Sequence, residues 1–192
     1  MSKKYKYKKN IKIIGGKYGG QFLNSVHHLK VRPTNSQIKE TLFNWLQKFI
    51  YNSTCLDCFS GSGNLSIESA SRFAASVTSL EKNKKLFTNI QNTLHKLQIQ
   101  NVHLKCVNTL KWLKKLGTPY DIIYLDPPFQ KTKLLHNSII LLNKNNWIKK
   151  NSLIYIEKNK NFKNLKIPNN WKCIKNKNTG QVSYSLYKIK NI

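Results

Sequence analysis

Four consecutive residues, Asp126-Pro127-Pro128-Phe129, combine an anionic acceptor, two ring-locked carbonyls and an aromatic face. Prolines lack backbone N–H donors and hold φ nearly fixed, so their carbonyls can be presented at set positions while the Asp126 carboxylate remains an acceptor. Such a turn suits an exocyclic amino group on a planar base: Asp126 and the Pro127 carbonyl would accept its two protons, and Phe129 would stack on the ring. A Pro-Pro turn that merely ends a strand is the simpler alternative. The acid before it and the ring after it argue for the functional reading.

A second cluster lies upstream in Leu56-Asp57-Cys58-Phe59-Ser60-Gly61-Ser62-Gly63-Asn64. Glycines at 61 and 63 let the backbone approach a ligand closely at the carboxyl edge of a strand. The third glycine of a dinucleotide fingerprint is absent, its place taken by Ser66, and no Gly-Lys-Ser/Thr phosphate loop is present, so both nucleotide readings lose weight. Asp57, set in an apolar strand, would be costly to desolvate without hydrogen-bond partners. Glu81, at the end of the next apolar run, is placed to accept from two ribose hydroxyls at once. Its alternative is an acid favoured by the helix dipole at the start of residues 83–97.

Cys55 and Cys58 have the spacing of metal ligands, but residues three apart on an extended strand face opposite sides, and no second pair or His cluster completes a site. No metal is expected. The remaining cysteines, Cys106 and Cys173, are too scattered for a disulfide framework, which fits reduced thiols. The five histidines are dispersed and receive no role.

The elements that must position these residues follow from periodicity. Residues 11–23 read as a strand, a Gly15-Gly16 turn and a second strand. A helix follows, with capping candidates Thr34 and Ser36 and an apolar stripe of Ile38, Leu42, Trp45, Leu46 and Phe49. From residue 54 onward short apolar runs alternate with helical segments: strands at 54–59, 76–81, 102–107, 121–125 and 152–157, helices at 65–73, around 86–97, at 110–116 and at 134–142. That alternation predicts βαβ crossovers and a parallel sheet covered on both faces. The tail breaks the pattern, since 171–174 and 182–186 flank Asn178-Thr179-Gly180 with no room for a crossover helix and should pair antiparallel. The expected fold is α/β: a mostly parallel, doubly wound, Rossmann-like sheet with a C-terminal antiparallel hairpin. Residues 1–34 are expected to form a basic tail and a small β-hairpin extension, and residues 35–192 the main domain of one compact unit.

The chain has 192 residues, and its 34 Lys and Arg against 7 Asp and Glu give a formal charge of +27. A polyanionic partner, nucleic acid above all, fits that balance, because phosphate neutralisation releases counterions. Lysine supplies nearly all of it and is spread widely, with arginine only at Arg32 and Arg72. The charge therefore supports a partner without locating a site. No apolar stretch nears the ~18–20 residues of a membrane span. The apolar segment Ile11-Lys12-Ile13-Ile14 that follows the basic first ten residues is too short for a secretory signal, so a soluble cytoplasmic protein is expected.

Asp57-Cys58-Phe59-Ser60-Gly61-Ser62-Gly63 resembles the first motif of class I S-adenosylmethionine-dependent methyltransferases, and Asp126-Pro127-Pro128-Phe129 their amino-methyltransferase motif. More narrowly, Ile13-Ile14-Gly15-Gly16, Arg32-Pro33-Thr34, Glu40-Thr41-Leu42-Phe43-Asn44-Trp45-Leu46 and Gly180-Gln181-Val182 resemble the RsmD-type 16S ribosomal RNA guanine-N2 methyltransferases. The resemblance runs in order from about residue 11 to residue 188. It implies a class I methyltransferase fold and S-adenosyl-L-methionine as cofactor, with Asp57, Phe59, Gly61, Ser62 and Gly63 around its methionine part and Glu81 on its ribose. Asn108, where many methyltransferases carry Asp, would lie near the adenine with Thr109 beside it. Asp126, Pro127, Pro128 and Phe129 become the catalytic set. Arg32 and Thr34 would meet RNA, with Lys17, Lys39 and Arg72 as further contacts. The implied partner is 16S ribosomal RNA or a small-subunit assembly particle, met by a monomer. N6-adenine or other amino methylation, and a non-catalytic RNA-binding assembly factor on the same fold, are the alternatives.

Overall fold

A computed structural model of the chain describes residues 11–23 and 36–190. Arg32 and Thr34 lie outside the described residues. The strands β1 (Ile11–Lys12) and β2 (Phe22–Leu23) pair antiparallel and are followed by helix α1 (Ser36–Leu46). The alternating part comprises β3 (Thr54–Asp57), α2 (Asn64–Ser71), β4 (Ser76–Leu80), α3 (Lys84–Lys96), β5 (Val102–Lys105), α4 (Thr109–Leu113), β6 (Tyr120–Leu125), α5 (Thr132–Lys144) and β7 (Ile148–Asn159). The chain closes with β8 (Trp171–Thr179) and β9 (Val182–Ile189).

The main sheet has the order β5-β4-β3-β6-β7-β9-β8. Its first five strands are parallel, whereas β9 runs antiparallel to both β7 and β8. Strand order reverses between β3 and β6, and crevices at such reversals are where open α/β sheets bind ligands. Asp57 ends β3 and Asp126 directly follows β6, so the two acids singled out by sequence flank that crevice.

Apolar side chains alternate across the buried strands into two layers. Cys55, Tyr124, Tyr155 and Tyr184 share one with α1, α2 and α3, and Leu56, Cys58, Ile123 and Ile154 share the other with α4 and α5. Cys55 and Cys58 accordingly face opposite sides. Two expectations need correction. Helix α1 ends at Leu46, so Phe49 leaves the apolar stripe and is 46% exposed. The first hairpin has only two residues per strand, because most of residues 13–21 form its turn: Ile13 N–H donates to the Gln21 carbonyl and Gly20 N–H to the Ile13 carbonyl.

That turn docks on α2 rather than extending the sheet. Lys17 N–H donates to the Ser71 carbonyl at 2.7 Å, Tyr18 N–H to Ser71 Oγ at 3.0 Å, and Ser71 Oγ–H to the Gly15 carbonyl at 2.5 Å. Gly16 sits at φ 75°, and a Cβ there would come within 1.9 Å of the Ser71 carbonyl oxygen.

Beneath it lies Glu68, fully buried in α2. Its carboxylate accepts from Ile14 N–H (2.8 Å), Gly15 N–H (3.0 Å) and Arg72 Nε (2.9 Å), and pairs with Lys39 Nζ (3.0 Å). Arg72 also lies over the Phe43 ring of α1 at 5.0 Å. One anion thus joins the hairpin, α1 and α2. Removing one side of a buried ion cluster strands the other and costs about 3–5 kcal/mol. Glu68→Ala should lower the unfolding free energy by about that amount in urea titrations; a loss under 1 kcal/mol would contradict the structural role.

Candidate active site

Asp57 is 1% exposed, and its Oδ2 accepts from Ser66 Oγ at 2.6 Å while Oδ1 accepts from Phe59 N–H at 3.3 Å. Burial, with a lesser push from the nearby Glu81 charge, raises its carboxyl to about 6 against the pull of those two donors. Ser66 is the residue that breaks the dinucleotide pattern, and in the fold its hydroxyl holds Asp57. Below it, Ser79 Oγ links Ser66 at 2.9 Å and Ser60 at 2.6 Å, closing a small hydroxyl cluster under the loop.

The loop turns through left-handed glycines, Gly61 at φ 55° and Gly63 at φ 79°. At Gly63 a Cβ would press within 3.1–3.3 Å of Ile90 and Ile67, so both backbone angle and space require glycine. Glu81 braces the loop from the next strand. Its Oε2 accepts from Gly61 N–H at 3.0 Å and its Oε1 from Asn83 N–H at 2.7 Å. Burial pushes its carboxyl up, and those backbone donors pull it down. The side-chain cap of α3 is Asn83, which accepts from Lys85 and Leu86 N–H, and Glu81 ties the start of that helix to the glycine loop through the Asn83 and Gly61 N–H groups.

Beyond β5, Asn108 is exposed and caps α4 through Lys111 N–H at 3.1 Å. Thr109 differs from expectation. It is 7% exposed and its hydroxyl donates to the Cys58 carbonyl at 2.5 Å, which makes its side chain a brace for the end of β3 rather than a ligand contact.

Past Leu125 the chain leaves β6 through Asp126, half-buried, then buried Pro127 and exposed Pro128. The Pro128 carbonyl accepts from Lys131 N–H at 2.8 Å and closes the turn into α5. Phe129 packs against the layer that holds α1, α2 and α3, whereas Phe59 packs against the other. The sheet registers place the acids together. Asp57 pairs with Ser79 and with Tyr124, and Tyr124 with Tyr155. Glu81, Asp126 and Glu157 each lie two residues beyond one of those partners, so all four acids share one face at the carboxyl edge.

Of the residues expected to meet RNA, Lys17 stays exposed on the hairpin. Lys39 is corrected: it is 1% exposed, and its ammonium bonds the Lys12 carbonyl (2.7 Å), Asn64 Oδ1 (2.7 Å) and Glu68 (3.0 Å). Three acceptors satisfy its three donors, leaving none for phosphate. Arg72 is drawn inward by Glu68 and Phe43, so its first role is structural.

Three contributors were not singled out from sequence: Ser66, Glu157 and Asn64. Asn64, 3% exposed, follows Gly63; its Oδ1 takes the Lys39 proton, while its Nδ2 has no hydrogen-bond partner. The Lys39 bond fixes which way the carboxamide faces. A buried unmet donor costs about 1–3 kcal/mol, and this one lies directly after the second glycine of the loop. Only the identity of the residue after the second glycine hinted at it. Among the described residues no group of three or more His, Cys, Asp or Glu is arranged to hold a metal ion, and no helix is long and apolar enough to cross a membrane.

With this geometry in hand, the family model described as "Conserved hypothetical protein 95" matches residues 11–188. The chain belongs to this family. Among related sequences, "Ribosomal RNA small subunit methyltransferase D" of Buchnera aphidicola subsp. Baizongia pistaciae is 50% identical over 180 residues, 93% of this chain and 91% of the relative. The protein of the same name from Escherichia coli (strain K12) is 38% identical over 177 residues, 92% and 89% of the two chains. The solved structure of a putative methyltransferase from Escherichia coli superposes with a TM-score of 0.88 at 36% identity, covering 95% of this chain and 99% of that one. The mostly parallel α/β methyltransferase architecture with antiparallel hairpins at both ends is therefore the fold of this family member.

The raised Asp57 carboxyl has a measurable signature. Its proton is held more tightly in the folded state than at the ordinary value of 3.8, so this stabilising contribution is present at low pH and lost as pH rises through about 6. Urea unfolding of the native chain should therefore lose up to about 3 kcal/mol between pH 4 and pH 7 relative to Asp57→Asn. Parallel pH profiles for the two proteins would show that Asp57 does not titrate in this range.

Proposed function

We propose that this protein transfers a methyl group from S-adenosyl-L-methionine to the exocyclic N2 of a guanine in small-subunit ribosomal RNA. The observation that carries the reading is Asp126-Pro127-Pro128-Phe129 at the sheet's switch point, on the face shared with Asp57 and Glu81. The names of the relatives support methylation of small-subunit ribosomal RNA by this chain as well.

The cofactor supplies a methyl group on a positively charged sulfonium. Around it, Asp57 and the Gly61–Gly63 backbone would hold the methionine part, and Asn64 Nδ2, the unmet buried donor beside them, fits a carboxylate oxygen. Glu81 would accept from the ribose hydroxyls. Asn108 would lie by the adenine.

On the substrate side, the lone pair of guanine N2 is delocalised into the ring, which makes the amine a poor nucleophile. Asp126 and the Pro127 carbonyl would hold its two protons and favour a more tetrahedral nitrogen, while Phe129 stacks on the base. When the methyl group passes from the sulfonium to the amine, Asp126 would stabilise the positive charge that develops on nitrogen and then accept the released proton. Positioning supplies most of the rest. The base must be unpaired or flipped to enter such a site.

The reading is tested with labelled methyl donor and purified small-subunit RNA or particles. Asp126→Ala should bind the cofactor within about twofold of the native chain in calorimetry and lose about 100- to 1000-fold in turnover. Full activity in the variant would remove Asp126 from the mechanism, and a native chain that binds no cofactor would favour the assembly-factor alternative.

A further inference from the structure

The mechanism above leaves one acid of the carboxyl edge unused. Leu125 pairs with Ile156 at the end of the parallel β6–β7 ladder, and Asp126 and Glu157 each follow one member of that last pair, both near enough for their charges to act on the Tyr155 phenol. Glu157 is 5% exposed and lines the same depression as Pro127, Pro128 and Phe129. Tyr155 O–H donates to its Oε2 at 2.9 Å. Burial first, and then the negative fields of Glu157 and Asp126, push the Tyr155 phenol well above its ordinary range, so it stays a donor.

Burying a carboxylate beside another is costly unless donors meet it. A carboxylate has about four lone-pair positions on its two oxygens, so Glu157 can accept from more than one donor at once, Tyr155 O–H being one of them. The base edge that would reach Asp126 decides what a further donor would be. Guanine presents N1–H directly beside its 2-amino group, two donors in a row. Adenine presents an N1 lone pair beside its 6-amino group, which would face a carboxylate in repulsion. One carboxylate serves either amino group, but two adjacent ones complement only the guanine pattern.

We infer that Glu157 accepts the N1–H of the target guanine and so selects guanine over adenine at this site. The inference rests on the guanine-N2 reaction proposed above. It also gives that reaction a physical reason to be preferred over N6-adenine methylation.

The test compares two RNAs, one with the natural guanine at the methylated position, located first by mass spectrometry, and one with 2-aminopurine there. The analogue keeps the 2-amino group and lacks N1–H. A bond to a charged acceptor is worth about 10- to 100-fold. The native enzyme should therefore prefer guanine RNA by at least that factor in kcat/KM, and Glu157→Gln, whose amide can donate to N1, should shrink the preference at least tenfold. Glu157→Asp should restore part of it. The preference is a ratio measured on one preparation, so a partly unfolded variant does not alter it. An unchanged ratio in Glu157→Gln, or no preference in the native enzyme, would overturn the inference while leaving guanine methylation standing. A native enzyme that leaves guanine N2 unmodified would instead overturn the function on which it rests.

Discussion

A single buried anion sets the frame of this molecule. Glu68 sits in the interior of a chain with a formal charge of +27, held by two backbone N–H groups, a lysine and an arginine. The donors come from three segments, the adjacent Ile14 and Gly15 of the turn, Lys39 of α1 and Arg72 at the end of α2, so the carboxylate fixes the N-terminal turn and α1 against α2 at once. Lys39 carries the constraint further, because its third bond reaches Asn64, the first residue after the glycine loop. Packing of the extension and geometry of the loop are therefore one arrangement. Such an ion cluster stabilises only when every member is present, and it adds orientation that an apolar contact would not.

At the other end of α2 the same economy of acids recurs. Asp57, Glu81, Asp126 and Glu157 converge on one face of the sheet's carboxyl edge, whereas Asp121 lies at the opposite end of β6, bonded to Thr54 and Lys149. Like charges gathered this closely raise one another's cost, and the structure offsets it with local donors: Ser66 and Phe59 N–H for Asp57, Gly61 and Asn83 N–H for Glu81, Tyr155 for Glu157. The result is an acceptor-rich edge suited to a cationic cofactor and a planar base that leads with donors. Lysine supplies most of the chain's positive charge, but this edge of the sheet is lined by acids.

Much of this was legible in the sequence, and the boundary follows contact distance along the chain. The alternation of apolar runs, the glycines at 61 and 63 and the Asp-Pro-Pro-Phe turn are local patterns, and they located the sheet edge and its two flanking acids. What escaped depends on partners far away. Lys39 read as a surface cation until Glu68, Asn64 and Lys12 enclosed it. Ser66 read as a missing glycine until it met Asp57, and Thr109 as a cofactor contact until its hydroxyl reached the Cys58 carbonyl. Glu157 gained meaning only from the β6–β7 register. Phe49 shows the local limit too, since its helical spacing outlasted the helix.

The central claim is chemical: an acceptor-lined sheet edge that methylates guanine N2 in small-subunit ribosomal RNA. The most direct test is nucleoside mass spectrometry of that RNA from cells with and without this protein. The account predicts that one N2-methylguanosine disappears when the protein is absent and returns when the native chain is restored. An unchanged N2-methylguanosine content in its absence would contradict it.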